Sequence, residues 1–159
     1  MWMGSSSKVD RFKARVAQRS EEFENKELVR KRDLRRCRFP LCGCKKFGFS
    51  LHVSHQQHKG MGGNPKGDRS TTDKMILVCY ARHRGHPMAI DKGTVKWKAL
   101  TRHGADGPVA WLVDLPSLTD LAHKRQRWVE VAREVRVQEL EPLTDDQRRI
   151  LTQLARMEQ

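Results

Sequence analysis

The sequence predicts a small α+β domain, stapled by a metal ion and flanked by helices at both ends. Three observations predict it. All four cysteines and five of the seven histidines lie between Cys37 and His86, a density that suits a metal site. Short alternating apolar runs within and just after that stretch read as strands. Segments with helical spacing and few breakers lie before and after it.

Composition sets the bounds. The chain has 159 residues, 37% of them hydrophobic and 32% charged. That implies one domain with appendages and a modest core that needs a staple. No apolar run approaches the length of about 20 residues that a membrane span requires. The start, Met1-Trp-Met-Gly-Ser-Ser-Ser-Lys8, lacks the apolar core of a signal peptide and reads as a disordered tail. Without export, the cysteines read as thiolate ligands rather than disulfides.

The formal net charge is +13, and it is unevenly spread. Residues 1–36 hold 11 basic and 6 acidic side chains, an excess of +5. Residues 37–110 hold 13 and 4, an excess of +9, and residues 111–159 hold 8 and 9, a balance of −1. The most basic segment is therefore the one that carries the metal ligands, which suits a polyphosphate partner.

Taken in order, residues 8–36 read as a polar helical arm. Phe12, Val16, Phe23 and Leu28 form only a thin apolar stripe. The arm ends in Arg30-Lys31-Arg32-Asp33-Leu34-Arg35-Arg36, whose basic side chains can neutralise phosphates. Phe39-Pro40 and Gly43 force a reversal between Cys37 and Cys42, the knuckle geometry that brings two thiolates onto one ion. Cys44 lies beside Cys42. Phe47 to His55 reads as a strand, in which Leu51 and Val53 alternate with His52 and Ser54. Lys59-Gly-Met-Gly-Gly63 opens a loop rich in Gly, Pro, Asn and Ser.

From Thr71–Asp73, Met75, Ile76, Cys79 and His83 recur at helical spacing, which predicts a helix with Cys79 and His83 on one face. Val95 to Leu100 and Val109 to Val113 read as two strands around the turn Ala105–Pro108. Ser117 with Asp120 caps a helix that would carry Leu118, Leu121, Trp128, Val129, Ala132 and Val135. Thr144-Asp-Asp-Gln147 opens a last helix with Ile150, Leu151 and Leu154. The expected organisation is an arm over 1–36, a module over 37–115 and a helical pair over 116–159.

Cys37-x4-Cys42, then Leu51-His-Val-Ser-His55, Lys59-Gly-Met-Gly-Gly63 and Ile76-Leu-Val-Cys79-x3-His83, in that order, resemble an HNH endonuclease of the ββα-metal class. The closest likeness is to the small nucleases of bacteriophages and prophages. It covers about residues 37–113 and includes Gly104-Ala-Asp-Gly-Pro108. The resemblance implies His55 as general base and His83 as ligand of a catalytic Mg²⁺ or other divalent ion. It also implies a structural Zn²⁺ on Cys37, Cys42 and Cys79, with Cys44 as the expected fourth ligand and His86 as the second candidate. Ser54 stands where the family often has Asp or His as a metal ligand, so His52 and His58 are possible helpers. Lys74 stands where an Asn is usual, and Arg82 where a fourth zinc ligand is usual.

The function expected is metal-dependent hydrolysis of phosphodiester bonds in duplex DNA, with Arg30, Lys31, Arg32, Arg35, Arg36 and Lys59 on the backbone. The phage likeness implies DNA processing beside a terminase, in the cytoplasm of a bacterial host. The alternative is a zinc-stapled nucleic-acid-binding protein whose HNH site is degenerate.

Overall fold

The computed structural model describes residues 7–40, 42, 44, 51–56, 70–137 and 139–156. It is α+β, with helices and antiparallel sheets. Helix α1 (Lys8–Arg32) starts at a capping box: Ser7 Oγ accepts from the Asp10 amide at 3.1 Å, and the Asp10 carboxylate accepts from the Ser7 amide at 3.2 Å. Arg30, Lys31 and Arg32 complement the helix dipole in its last turn. The chain then reverses through Leu34 and Arg35, whose φ angles of 51° and 53° are left-handed.

Strands β1 (Leu51–His55) and β2 (Met75–Cys79) form an antiparallel pair, with Leu51 opposite Cys79 and His55 opposite Met75. The expected helix from Thr72 is absent: Thr72–Lys74 is one 3-10 turn and Met75–Cys79 is extended. Its five consecutive apolar residues explain this. All five are buried, Ile76 and Val78 on one side and Met75, Leu77 and Cys79 on the other. A short apolar run with no polar face belongs between two layers, where a strand fits and an amphipathic helix does not. Helical winding comes only afterwards, as a single π turn at Ala81–Gly85.

The second sheet runs β3 (Val95–Ala99), β4 (Val109–Asp114), β5 (Trp128–Arg136) and β6 (Glu139–Leu140), neighbours antiparallel. The helix expected from Ser117 stops early. Its predicted cap forms, but α2 spans only Leu118–Ala122, and residues 128–136 are a strand that pairs with β4 through 128–133 and with β6 beyond. A register shift opposite Trp111/Leu112 breaks the strand's alternation, which is why its apolar residues also fit a helical period. The sheet thus crosses residue 115, so the segment after it belongs to the same fold. The last helix, α3 (Asp145–Arg156), opens at the predicted Thr144/Gln147 box. Its Leu151 and Leu154 join the core around Trp111 and Trp97.

One buried network ties these layers together. Arg38, 8% exposed, grips Glu134 of β5 through two hydrogen bonds of 3.1 and 2.8 Å. It also donates to Asp33 and to the carbonyls of Ala105 and Gly107. Asp33 accepts from the Leu77 amide of β2 at 2.9 Å, and Glu134 from the Val109 amide of β4 at 3.1 Å. Each buried charge has an opposite partner, the condition under which such a network holds rather than breaks a fold. Gly104 (φ 58°) lets the turn over 104–106 press onto Asp73, where a Cβ would collide with the carbonyl oxygen. Among the described residues no helix is long and apolar enough to cross a membrane.

Candidate functional site

Two sites lie near the β1–β2 pair. The first is built of sulfur. Cys37 follows the reversal after α1, Cys42 and Cys44 come from the knuckle, and Cys79 ends β2. Their Sγ atoms all lie within 4.8 Å of one another, and Cys42 and Cys79 are 3.4 Å apart. Four sulfurs at about 2.3 Å around a tetrahedral zinc ion would sit about 3.8 Å from each other, so the spacing fits. The Cys79 amide donates to Cys37 Sγ at 3.3 Å, which orients the ligand. The charges argue the same way. Cys79 is held far below the ordinary thiol range, because Cys37 and Cys42 donate to its sulfur. Cys37 is pushed far above it by its hydrogen bonds with Cys42 and Cys79 and by burial. Four clustered thiols share few negative charges alone, whereas a dication stabilises all of them as thiolates. The four cysteines could hold a structural Zn²⁺. His86, the other candidate ligand, lies outside this group and accepts from the Met88 amide.

The second site is built of imidazole. His83, in the π turn, sits with its Nδ1 3.1 Å from His52 Nδ1. Its Nε2 lies 3.4 Å from Asp91 Oδ1. Two imidazoles that ligate one ion at about 2.1 Å place their nitrogens about 3.0–3.4 Å apart, which matches the facing pair. A carboxylate on the far nitrogen of a ligating histidine sets its tautomer and ring orientation. Isolated π turns are common at functional positions, and this one aims His83 inward with only 9% exposure. Gly85 leaves room for the Tyr80 ring, which stands edge-on to His52 at 5.5 Å.

The sequence-predicted residues separate accordingly. Cys37, Cys42, Cys44 and Cys79 come together. Cys79 and His83 do not share a helix face; one ends a strand among sulfurs and the other turns towards His52. His55 ends β1 half-buried, three residues from His52, and strand alternation puts the two on opposite faces. Ser54 is 1% exposed and its Oγ meets no hydrogen-bond partner among the described residues. Arg32 donates to Asp33, Asp106 and the carbonyls of Thr72 and Met75 inside the fold. Arg30 pairs with Glu27 at 2.6 Å. Lys31, Arg35 and Arg36 are exposed at the end of α1 and its turn, and Arg35 lies 3.6 Å from Glu27. Lys59, His58 and the Gly60–Gly63 turn lie outside the described residues.

Sequence reasoning treated His52 only as a helper and passed over Asp91. The alternation of β1 puts His52 beside Ser54, a usable signal. Nothing in the spacing of Ile90-Asp91-Lys92 points to His83. Comparison with protein-family models, curated proteins and solved structures finds no match to this chain.

Proposed function

We propose that this chain is a metal-dependent endonuclease of HNH type that hydrolyses phosphodiester bonds in DNA. The observation that carries the reading is the His52–His83 pair, backed by Asp91, on a strand–strand–turn unit next to a four-cysteine cluster. His52 and His83 would hold a divalent ion through their facing nitrogens. Bound there, the ion would stabilise the charge that develops on the phosphate. Two imidazoles suit a borderline transition metal such as Ni²⁺ better than Mg²⁺, which prefers oxygen. Asp91 keeps His83 oriented. The family likeness implies His55 as base; it stands at the end of β1 on the face opposite His52, so it would have to reach the phosphate around the strand end. Lys31, Arg35 and Arg36 are proposed phosphate contacts. A role beside a phage terminase in a bacterial host rests on the family likeness alone.

A plasmid-relaxation assay with Mg²⁺, Mn²⁺ or Ni²⁺ against EDTA tests the proposal. Nicking in at least one ion is expected, with loss in His55→Ala by about 10²–10⁴-fold while zinc content and DNA binding persist. The burial of Ser54, a position where the family often ligates metal, favours a second reading: a zinc-stapled DNA-binding protein without catalysis. DNA binding without nicking in any of the three ions would establish that reading instead.

A further inference from the structure

Helix α1 has two faces, and the residues that dock it on the described fold share one of them. Its C-terminal half docks through Val29, which is fully buried, through Asn25, which donates to the Ser70 carbonyl at 3.1 Å, and through Arg32. At 3.6 residues per turn, Val9, Phe12, Val16 and Phe23 fall on the roughly opposite side. All four are exposed, Phe12 at 68% and Phe23 at 63%. They repeat with a spacing of 7: Val9, Val16 and Phe23 occupy one heptad position, and Phe12, Arg19 and Lys26 the other. A row of exposed apolar side chains on one face of a helix marks an interface.

We propose that α1 pairs antiparallel with α1 of a second copy of this chain. Charge chooses the partner and the direction. Residues 8–19 hold five basic side chains and one acidic, whereas residues 20–29 hold four acidic and one basic. Antiparallel pairing lays each basic half on the other chain's acidic half. Parallel pairing would stack basic on basic and place Arg19 on Arg19 and Lys26 on Lys26 in the seam. In the antiparallel register centred between Ala17 and Gln18, Phe12 of each copy packs on Phe23 of the other. Val16 covers the Arg19 stem, and Arg15 flanks the seam on the side of the partner's Glu22, which pairs with Lys26 of its own helix at 2.7 Å. Both folded bodies lie on the outer side of the pair, at opposite ends, so neither blocks the seam. The pairing does not depend on the proposed nuclease activity.

The test is the mass of the zinc-loaded full chain in solution, by sedimentation equilibrium across a concentration series in moderate salt. A concentration-dependent mass that rises towards two chains is expected. Phe12→Glu with Phe23→Glu should hold the mass at one chain, and because both residues are exposed, the melting temperature and zinc content should not move. Arg15→Glu alone should weaken association at least tenfold. A single-chain mass at every concentration overturns the proposal. So does a dimer unaffected by the phenylalanine changes, and a dimer unaffected by Arg15→Glu overturns the antiparallel register.

Discussion

Single residues here are set by the partner that each one finds. His83 has one nitrogen towards His52 and the other towards Asp91, so its two neighbours carry different tasks. His52→Ala should abolish metal-dependent nicking about as completely as His83→Ala, since both remove a proposed ligand. Asp91→Asn should leave a ligand set in place and raise the metal concentration needed for half-maximal nicking by about 10–100-fold, with the melting temperature unchanged. A metal titration of the three variants separates these effects, and equal loss in all three would show that Asp91 does more than orient. The pair of Arg38 and Glu134 makes a different case, because it serves the fold alone. Glu134→Ala leaves Arg38 buried and short of its main counter-charge, which should cost about 3–5 kcal/mol in a denaturant titration.

At the scale of elements, the C-terminal segment changes meaning. Read as a near-neutral helical pair, it would be dispensable. In the fold, β5 supplies Glu134 to Arg38, and α3 inserts Leu151 and Leu154 beside Trp111. Leu151→Ala should therefore destabilise the whole domain by about 2–5 kcal/mol, read by thermal or chemical unfolding. Deletion of residues 140–159 should lower stability first, and any loss of DNA binding should follow unfolding. Measuring binding below the variant's melting temperature distinguishes the two.

Across the whole molecule, the sulfur cluster joins the end of α1, the knuckle and β2, so its ion would hold together segments far apart in sequence. One zinc per chain is expected by elemental analysis. Chelation should lower the melting temperature, more so at acidic pH, because protons then compete for the thiolates. Protein purified without chelators and found free of zinc would refute this. DNA affinity should fall steeply and roughly linearly in log K against log salt, since the charge of residues 1–110 is +14 while the remainder carries −1. A flat response would remove the electrostatic basis of the DNA reading.

Local chemistry was legible in the sequence. The caps at Ser117 and Thr144, strands that overlap those at 51–55, 95–99 and 109–114, and the α1 arm follow from side chains within a few residues of one another. The cysteine set was legible too, because three thiols crowded on a knuckle with one more further along the chain have the spacing of a metal site. What only the tertiary structure decided is where two periods fitted equally well. Met75–Cys79 and Trp128–Arg136 could wind or extend. The strand prevailed because β1 and β4 each offered an open edge and the core lay on both sides of β2. The approach of His52 and Asp91 to His83 is of the same kind: three residues 31 and 8 positions apart, joined by a hairpin and a π turn whose geometry no single segment encodes.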